Sequence, residues 1–351
     1  MASSRKPVSL GDIAKAAGIA RSTASYALRN DPNVSLKTRE RVQAIARDLN
    51  YIPDAGIASW MDSVRKTKQR KPVPIAWLNT SKRANAWLDA GLRPYIEGAR
   101  ARCRELGYEL EEFWAEAVGM TQRRISSILY NRGIQGLIIS PSPSSKLRHL
   151  NLEWKHFACA TFEGSIIAPR LHRVMPDHLS NTIMALKTLR RSGYRRIGVF
   201  LQQETKRSSL YAYSAAILYF HSKIPAVEQI PPLFYRCEDE TPECSDLFSV
   251  WMDKHKPDVV VGYHSQLVEW IKARGLQVPE QVGVVHLAID GDVEEWSGIW
   301  QCKRHIGAET AELVISMVQH HRFGLPQTAQ DILIQGEWHR GSTLLPSKAK
   351  S

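Results

Sequence analysis

No apolar run in the 351 residues approaches the ~18 that a membrane helix requires, so no membrane partner is expected. The opening Met1-Ala2-Ser3-Ser4-Arg5-Lys6-Pro7 lacks the apolar core of a secretory signal. The chain is therefore expected to stay in the cytoplasm. Cysteine is scarce: Cys103, Cys159, Cys237, Cys244 and Cys302 are odd in number and scattered, and none forms a C-x-x-C pair. That argues against a disulfide framework or a cysteine-rich zinc site. Also missing are G-x-G-x-x-G, a P-loop, H-E-x-x-H and G-x-S-x-G. The twelve histidines are dispersed. In the one adjacent pair, His320-His321, helical neighbours would point about 100° apart, a poor metal site. No catalytic residue, metal or cofactor is expected. What is present is ordinary for a globular chain of two or three domains, with 43% hydrophobic and 23% charged residues.

Charge is unevenly placed. Residues 1–72 hold 14 Lys/Arg against 6 Asp/Glu, whereas residues 73–351 hold 33 against 29. Most of the formal +12 thus sits on one fifth of the chain. A basic segment on a near-neutral body fits a nucleic-acid contact module, and equally a solvated tail.

The pattern inside that segment is helical. Ser9 is placed to cap a helix, with Asp12 three residues on as a variant of the capping box. Ile13, Ala14, Ala16 and Ala17 give a short apolar face, and Gly18 ends it. Arg21 to Leu28 reads as a second helix that stops at Asn30-Asp31-Pro32. Ser35 caps a third, from Leu36 to Leu49, with Val42, Ile45, Ala46 and Leu49 on one face. Helix, glycine-containing turn, helix is the helix-turn-helix arrangement, and Ala14, Ala17 and Ala24 permit close approach. The second helix would carry Arg21, Ser22, Ser25 and Tyr26 to the major groove, where Arg can bond guanine twice. A plain three-helix bundle without a DNA role has the same spacing.

The segments Val8 to Ile19, Ser22-Thr23-Ala24-Ser25, Asn33-Val34-Ser35, Thr38 to Val42 and Leu49-Asn50-Tyr51-Ile52-Pro53 together resemble the lactose/galactose repressor family. The resemblance implies a dimeric, ligand-responsive transcriptional regulator, a repressor, reading a pseudo-palindromic operator in double-stranded DNA through Ser9, Arg21, Ser22, Thr23, Ser25, Tyr26 and Arg29. Two departures matter. The family usually has Ser at the position of Ala20 and Arg at that of Tyr26. Tyr offers one hydrogen bond or a ring face to a thymine methyl, and no bidentate guanine contact. The hinge reads Asp54-Ala55-Gly56-Ile57-Ala58-Ser59-Trp60-Met61, which puts Trp60 where the family's leucine wedges the minor groove. Ile57, Trp60 and Met61 packing on the body is the other reading. Arg65 to Pro72 is a basic linker suited to phosphate contact or to a simple tether.

From Val73 onward, strands and helices alternate. Apolar runs at Val73–Asn79, Gly136–Pro141, Arg196–Leu201, Pro257–Gly262 and Val282–Leu287 read as strands, as does the alternating Tyr108–Phe113. Tyr95–Leu106, Thr121–Asn131, His178–Arg191 and Ser208–Ser222 read as helices. Two such series argue two lobes with parallel sheets covered on both faces. Arg173 to His178, Gly193 to Gly198, Asp258-Val259-Val260, Pro279 to Val284 and Ile306 to Ala311 are similar to the same family. The implied fold is an all-α helix-turn-helix head plus an α/β body, a two-lobed periplasmic-binding-protein-like (type I) effector domain.

The expected organisation is a DNA-binding head at 1–53, a hinge and basic linker at 54–72, and an effector-binding and dimerisation body at 73–345. Lobe one is placed at about 73–171 and 300–328, and lobe two at about 172–299 and 329–345. The resemblance implies a small polar effector, a sugar or sugar derivative, between the lobes. Asn79, Trp87, Asp177, Arg207 and Asp290 are the candidate contacts. At the family's effector arginine this chain aligns Leu210 or Tyr211, with Lys206 or Arg207 able to substitute. A homodimer, bacterial cytoplasm and nucleoid association complete what the resemblance implies.

Overall fold

The computed structural model describes residues 8–49, 51, 72–89, 91–140, 149–163, 166, 168–202, 210–235, 242–289 and 293–346. In the head, α1 spans Leu10–Ala17, α2 Arg21–Leu28 and α3 Leu36–Asp48. The capping box at α1 is formed in both directions: Ser9 Oγ accepts from Asp12 N at 3.3 Å, and Ser9 N donates to Asp12 Oδ2 at 2.8 Å. Gly18 stands at φ 63°, the left-handed position that glycine adopts without strain. Ser35 caps α3 through Thr38 N. Ala20 gives α2 no side-chain cap, as its methyl requires. Ile13, Ala14, Ala17, Ala24, Ala27, Val34, Val42 and Ala46 form a separate small core.

The body holds two six-stranded sheets among the described residues, ordered β11-β5-β4-β3-β1-β2 and β12-β10-β9-β8-β6-β7. The first takes β1 Val73–Asn79, β2 Tyr108–Trp114, β3 Gly136–Ile139, β4 Ala158–Phe162, β5 His172–Pro176 and β11 Asp331–Ile334. The second takes β6 Ile197–Gln202, β7 Leu233–Tyr235, β8 Val259–Gly262, β9 Gly283–His286, β10 Ser297–Trp300 and β12 Glu337–His339. The named pairs are parallel except β10 with β12. The helices are α4 Arg93–Glu105, α5 Gln122–Asn131, α6 His178–Arg191, α7 Leu210–His221, α8 Pro242–His255, α9 Leu267–Ala273 and α10 Lys303–Gln319. Each sheet is sandwiched. Ile75, Tyr95, Ala99 and Val314 build one core of lobe one and Leu78, Ile125, Leu129 and Phe157 the other. Lobe two repeats this with Leu189, Val199 and Ile217 on one face, Phe200, Phe248 and Ile271 on the other. Such buried parallel strands need apolar residues on both faces, which is why they appear as unbroken runs.

Two expectations are corrected here. The first crossover lies later than residue 171, because β5 pairs with β4 and β11, so 172–176 and 331–334 belong to the first sheet. Chain passage between the lobes therefore falls at 176–178, 300–303 and 334–337. Strand partnership is long-range and leaves no local mark at 171. Second, Cys103, Cys159 and Cys302 are free thiols, but Cys244 is disulfide-bonded. Cysteine spacing alone does not show which thiols meet.

Arg173 and Asp331 tie β5 to β11 as a two-point pair, with Nε–Oδ1 at 2.7 Å and Nη2–Oδ2 at 2.5 Å. These bonds hold the Asp331 carboxyl below the usual range, against an opposing effect of burial. A depressed folded-state value favours the charged form. The pair's stabilisation is thus complete above the unfolded value, ~4, and is lost as pH falls through the lower folded value. Urea unfolding at pH 6 and pH 3 should therefore show a smaller acid-induced loss in Asp331→Asn than in wild type. Equal losses in both would show that the pair is not what the acid disrupts.

Candidate functional site

The head presents one polar face. Ala24 and Ala27 of α2 are buried, whereas Arg21 and Ser22 are exposed and Tyr26 is 45% exposed. Ser22 and Tyr26 are four residues apart and share a face. Thr23, Ser25 and Arg29 are half-buried. Arg29 turns back on its own helix: Nε donates to the Ser25 carbonyl at 3.2 Å, and the guanidinium lies 5.4 Å from the Tyr26 ring centroid. Ser9 is exposed at the start of α1, its hydroxyl donating to Asp12 Oδ2 at 2.6 Å. Three α3 side chains that sequence reading missed fix the frame. Arg41 donates to the Ala17 carbonyl at 3.1 Å, Arg39 to the Asn30 carbonyl at 3.1 Å, and Gln43 to Asn30 Oδ1 at 2.6 Å. Asn30 itself stands at φ 62°, so these bonds hold the left-handed turn that ends α2. Trp60 lies outside the described residues.

In the body, Asn79 ends β1 as expected, and its amide bonds the loop that follows. It is 1% exposed; Nδ2 donates to the carbonyls of Arg83 and Ala84, both at 2.9 Å, and Oδ1 accepts from Ser81 N at 2.8 Å. A polar residue at a buried strand end has satisfied itself by shaping the following loop. These bonds shape the loop that follows β1. Asp177 caps α6, accepting from Ser180 N at 2.9 Å, while its own N–H reaches the Ile334 carbonyl at 2.8 Å. It thereby joins the first and third crossovers. The Trp87 backbone lies in the short turn of helix Ala86–Leu88. Arg207 and Asp290 lie outside the described residues.

The structure instead assembles a seam that was not legible beforehand. His178 opens α6 and is 5% exposed. Its Nδ1 lies 2.7 Å from the Tyr213 hydroxyl on α7, and that hydroxyl bonds the Tyr263 hydroxyl beyond β8. Gln301, at the second crossover, donates from Nε2 to the Tyr263 hydroxyl at 2.8 Å and to the Leu287 carbonyl at 3.0 Å. His286 Nε2 sits 2.7 Å from the Tyr263 carbonyl. Across from His178, Glu163 follows β4 of lobe one, with Oε1 3.9 Å from His178 Nε2. Asn181, one turn into α6, accepts from Gly336 N at 2.8 Å and so ties in the third crossover. The first turn of α6 thus bonds the third passage directly through Asn181 and reaches the second through Tyr213, Tyr263 and Gln301.

A helix-turn-helix head on a two-lobed, type I periplasmic-binding-protein-like body defines the class. A family described as bacterial regulatory proteins, lacI family, matches residues 9–54. The repressor PurR of Klebsiella pneumoniae (strain 342) is 26% identical over 220 residues, covering 61% of each chain. The matched part is therefore less than two thirds of that relative's length. Among solved structures, the lac repressor dimer bound to operator and the anti-inducer ONPF has a TM-score of 0.54 at 19% identity, covering 97% of this chain and 100% of that one. The CelR–cellobiose complex has a TM-score of 0.55 at 16% identity, covering 96% and 99%. Residues 9–54 thus match the lacI family of bacterial regulatory proteins, and the body shares the fold of those solved regulators.

Proposed function

We propose that this protein is a sequence-specific DNA-binding repressor, working in the bacterial cytoplasm on the nucleoid, whose operator affinity is set by a small polar ligand between the lobes. The observation that carries the reading is the exposed Arg21, Ser22 and Tyr26 face of α2 on a head whose other face is a packed core. Arg21, Ser22, Thr23, Ser25 and Tyr26 read bases, Ser9 and Arg29 support the face, and Trp60 wedges the minor groove. The ligand is a sugar or sugar derivative; the cellobiose complex of CelR supports that class. Asn79, Trp87, Asp177, Arg207 and Asp290 remain its proposed contacts.

A monomeric head reads only a few base pairs, so two-fold symmetry supplies the missing specificity. The body is the proposed dimer contact. Light scattering at micromolar concentration should give about 80 kDa, twice the 39.7 kDa chain; a mass of one chain or of four would exclude the dimer. Selection from a random duplex library with the full chain should return a pseudo-palindrome. A pool without dyad symmetry, or no enrichment, would reject the operator reading.

A further inference from the structure

We propose that the head is seated on lobe one through Asp31 and His321, and that this seat orients α2 for the operator. The orienting role rests on the reading that α2 enters DNA; the seat itself does not.

The contact joins the ends of two helices. Asp31 follows Asn30, the residue at φ 62° that turns the chain out of α2. Arg39 and Gln43 of α3 bond Asn30, so the head's own frame fixes where Asp31 stands. The two carboxylate oxygens divide their work. Oδ1 accepts from Asn33 N at 2.9 Å, and Oδ2 lies 3.7 Å from Nε2 of His321 in lobe one. That is ion-pair reach for a protonated ring. The two side chains are only 11% and 21% exposed, and a partly buried pair is screened far less than a surface one.

His321 occupies a position that favours another residue. It follows α10 in a Schellman ending: Arg322 N donates to the Met317 carbonyl at 2.8 Å, and His321 N to that of Val318 at 3.1 Å. The chain there is left-handed, at φ 53°, where glycine sits without strain and histidine does not. A strained side chain at a helix end points to a use beyond ending the helix. The ring stands edge-on to Phe323, with centroids 5.9 Å apart at 82°, and presents Nε2 to the head's carboxylate.

Seating leaves the DNA face open. Arg21 and Ser22 are exposed and Tyr26 is 45% exposed, and Asp31 lies beyond the opposite end of α2 from Arg21. A head already held in one orientation loses less freedom on binding. The seat also has stiff backing. The 17 residues of α10 span about 26 Å. They begin beside the second crossover and pack backbone-close on α4 at Gly98 and Gly307.

The test uses the full chain with Asp31→Asn, His321→Gly and the two together. Asparagine keeps an acceptor for Asn33 N, and glycine suits the backbone at 321, so both helix ends persist; circular dichroism checks this. The first readout is amide hydrogen exchange without DNA. Asp31→Asn should speed exchange at residues 317–323 of the body, and His321→Gly at residues 30–34 of the head, each about threefold. Unchanged exchange across the contact in both variants overturns the seat. The second readout is affinity for a duplex that the wild-type chain selects from a random library. The coupling between the two substitutions, taken from all four affinities so that each one's own effect on charge cancels, should be roughly fivefold. Independent effects, or tighter binding in both single variants, overturn the orienting role. If selection returns no duplex, the DNA reading fails with the orienting role, and exchange still decides the seat.

Discussion

Gly98→Ala and Gly307→Ala should each lower the urea midpoint of the body, although alanine is the better helix former. The two glycines lie where α4 and α10 cross in lobe one. A methyl on Gly98 would sit 1.8 Å from the Arg304 carbonyl oxygen, and one on Gly307 2.0 Å from that of Tyr95. Both obstacles are backbone, so no side chain can rotate out of the way. Alanine's helical advantage over glycine is ~1 kcal/mol. Forcing extra volume into packed structure costs ~1–3 kcal/mol, occasionally more, and a clash this close belongs at the upper end, so the loss wins. Gly11 in α1 supplies the control: a methyl there would meet only Ser9 Oγ at 3.4 Å. Gly11→Ala should be neutral or mildly stabilising to the head. Denaturation monitored by near-ultraviolet circular dichroism separates the cases. An unchanged midpoint in both Gly98→Ala and Gly307→Ala would mean that the helices do not cross this closely.

The parts read correctly from sequence are those with local causes. Ser9 and Asp12 cap each other within one turn, Gly18 needs only its own backbone freedom, and Ser35 bonds three residues on. Apolar runs likewise announced β1, β3, β6, β8 and β9, because a strand covered on both faces must be apolar throughout. The short β4, β5, β7, β10, β11 and β12 carry no such local mark. Their identity depends on partners far along the chain, as in β5 with β11. The seam was hidden for the same reason. Glu163, His178, Tyr213, Tyr263 and Gln301 share no motif and meet only through the crossovers. Asn79 shows the converse: its position at a strand end was legible, but the three bonds that occupy its amide come from a loop conformation.

Arg21→Ala should cause the largest change in DNA recognition, and Tyr26→Arg the clearest change in which base is preferred. Arg21 is the first residue of α2 and is exposed; its proposed role is a two-bond contact with guanine O6 and N7. Its loss should remove ~1–3 kcal/mol of discrimination at one position of each half-site. Both half-sites of a dimer change together, so the full operator should lose more. Tyr26 projects from the same polar face, with Arg29 lying over its ring and anchored to Ser25. That contact limits ring motion and leaves the opposite ring face and the hydroxyl for the groove. Tyr26→Phe then separates the two uses: an intact preference means the ring is read, and a lost one means the hydroxyl is. Tyr26→Arg restores a planar two-bond donor and should move the preferred base at that position to guanine. Each variant is measured by selection from the same random library, followed by competition between the wild-type and variant consensus duplexes at fixed salt, since phosphate contacts alone shift affinity with salt. Should Arg21→Ala return the wild-type operator at wild-type affinity, α2 does not enter the groove by this face, and the base-reading roles of Ser22, Ser25 and Tyr26 go with it.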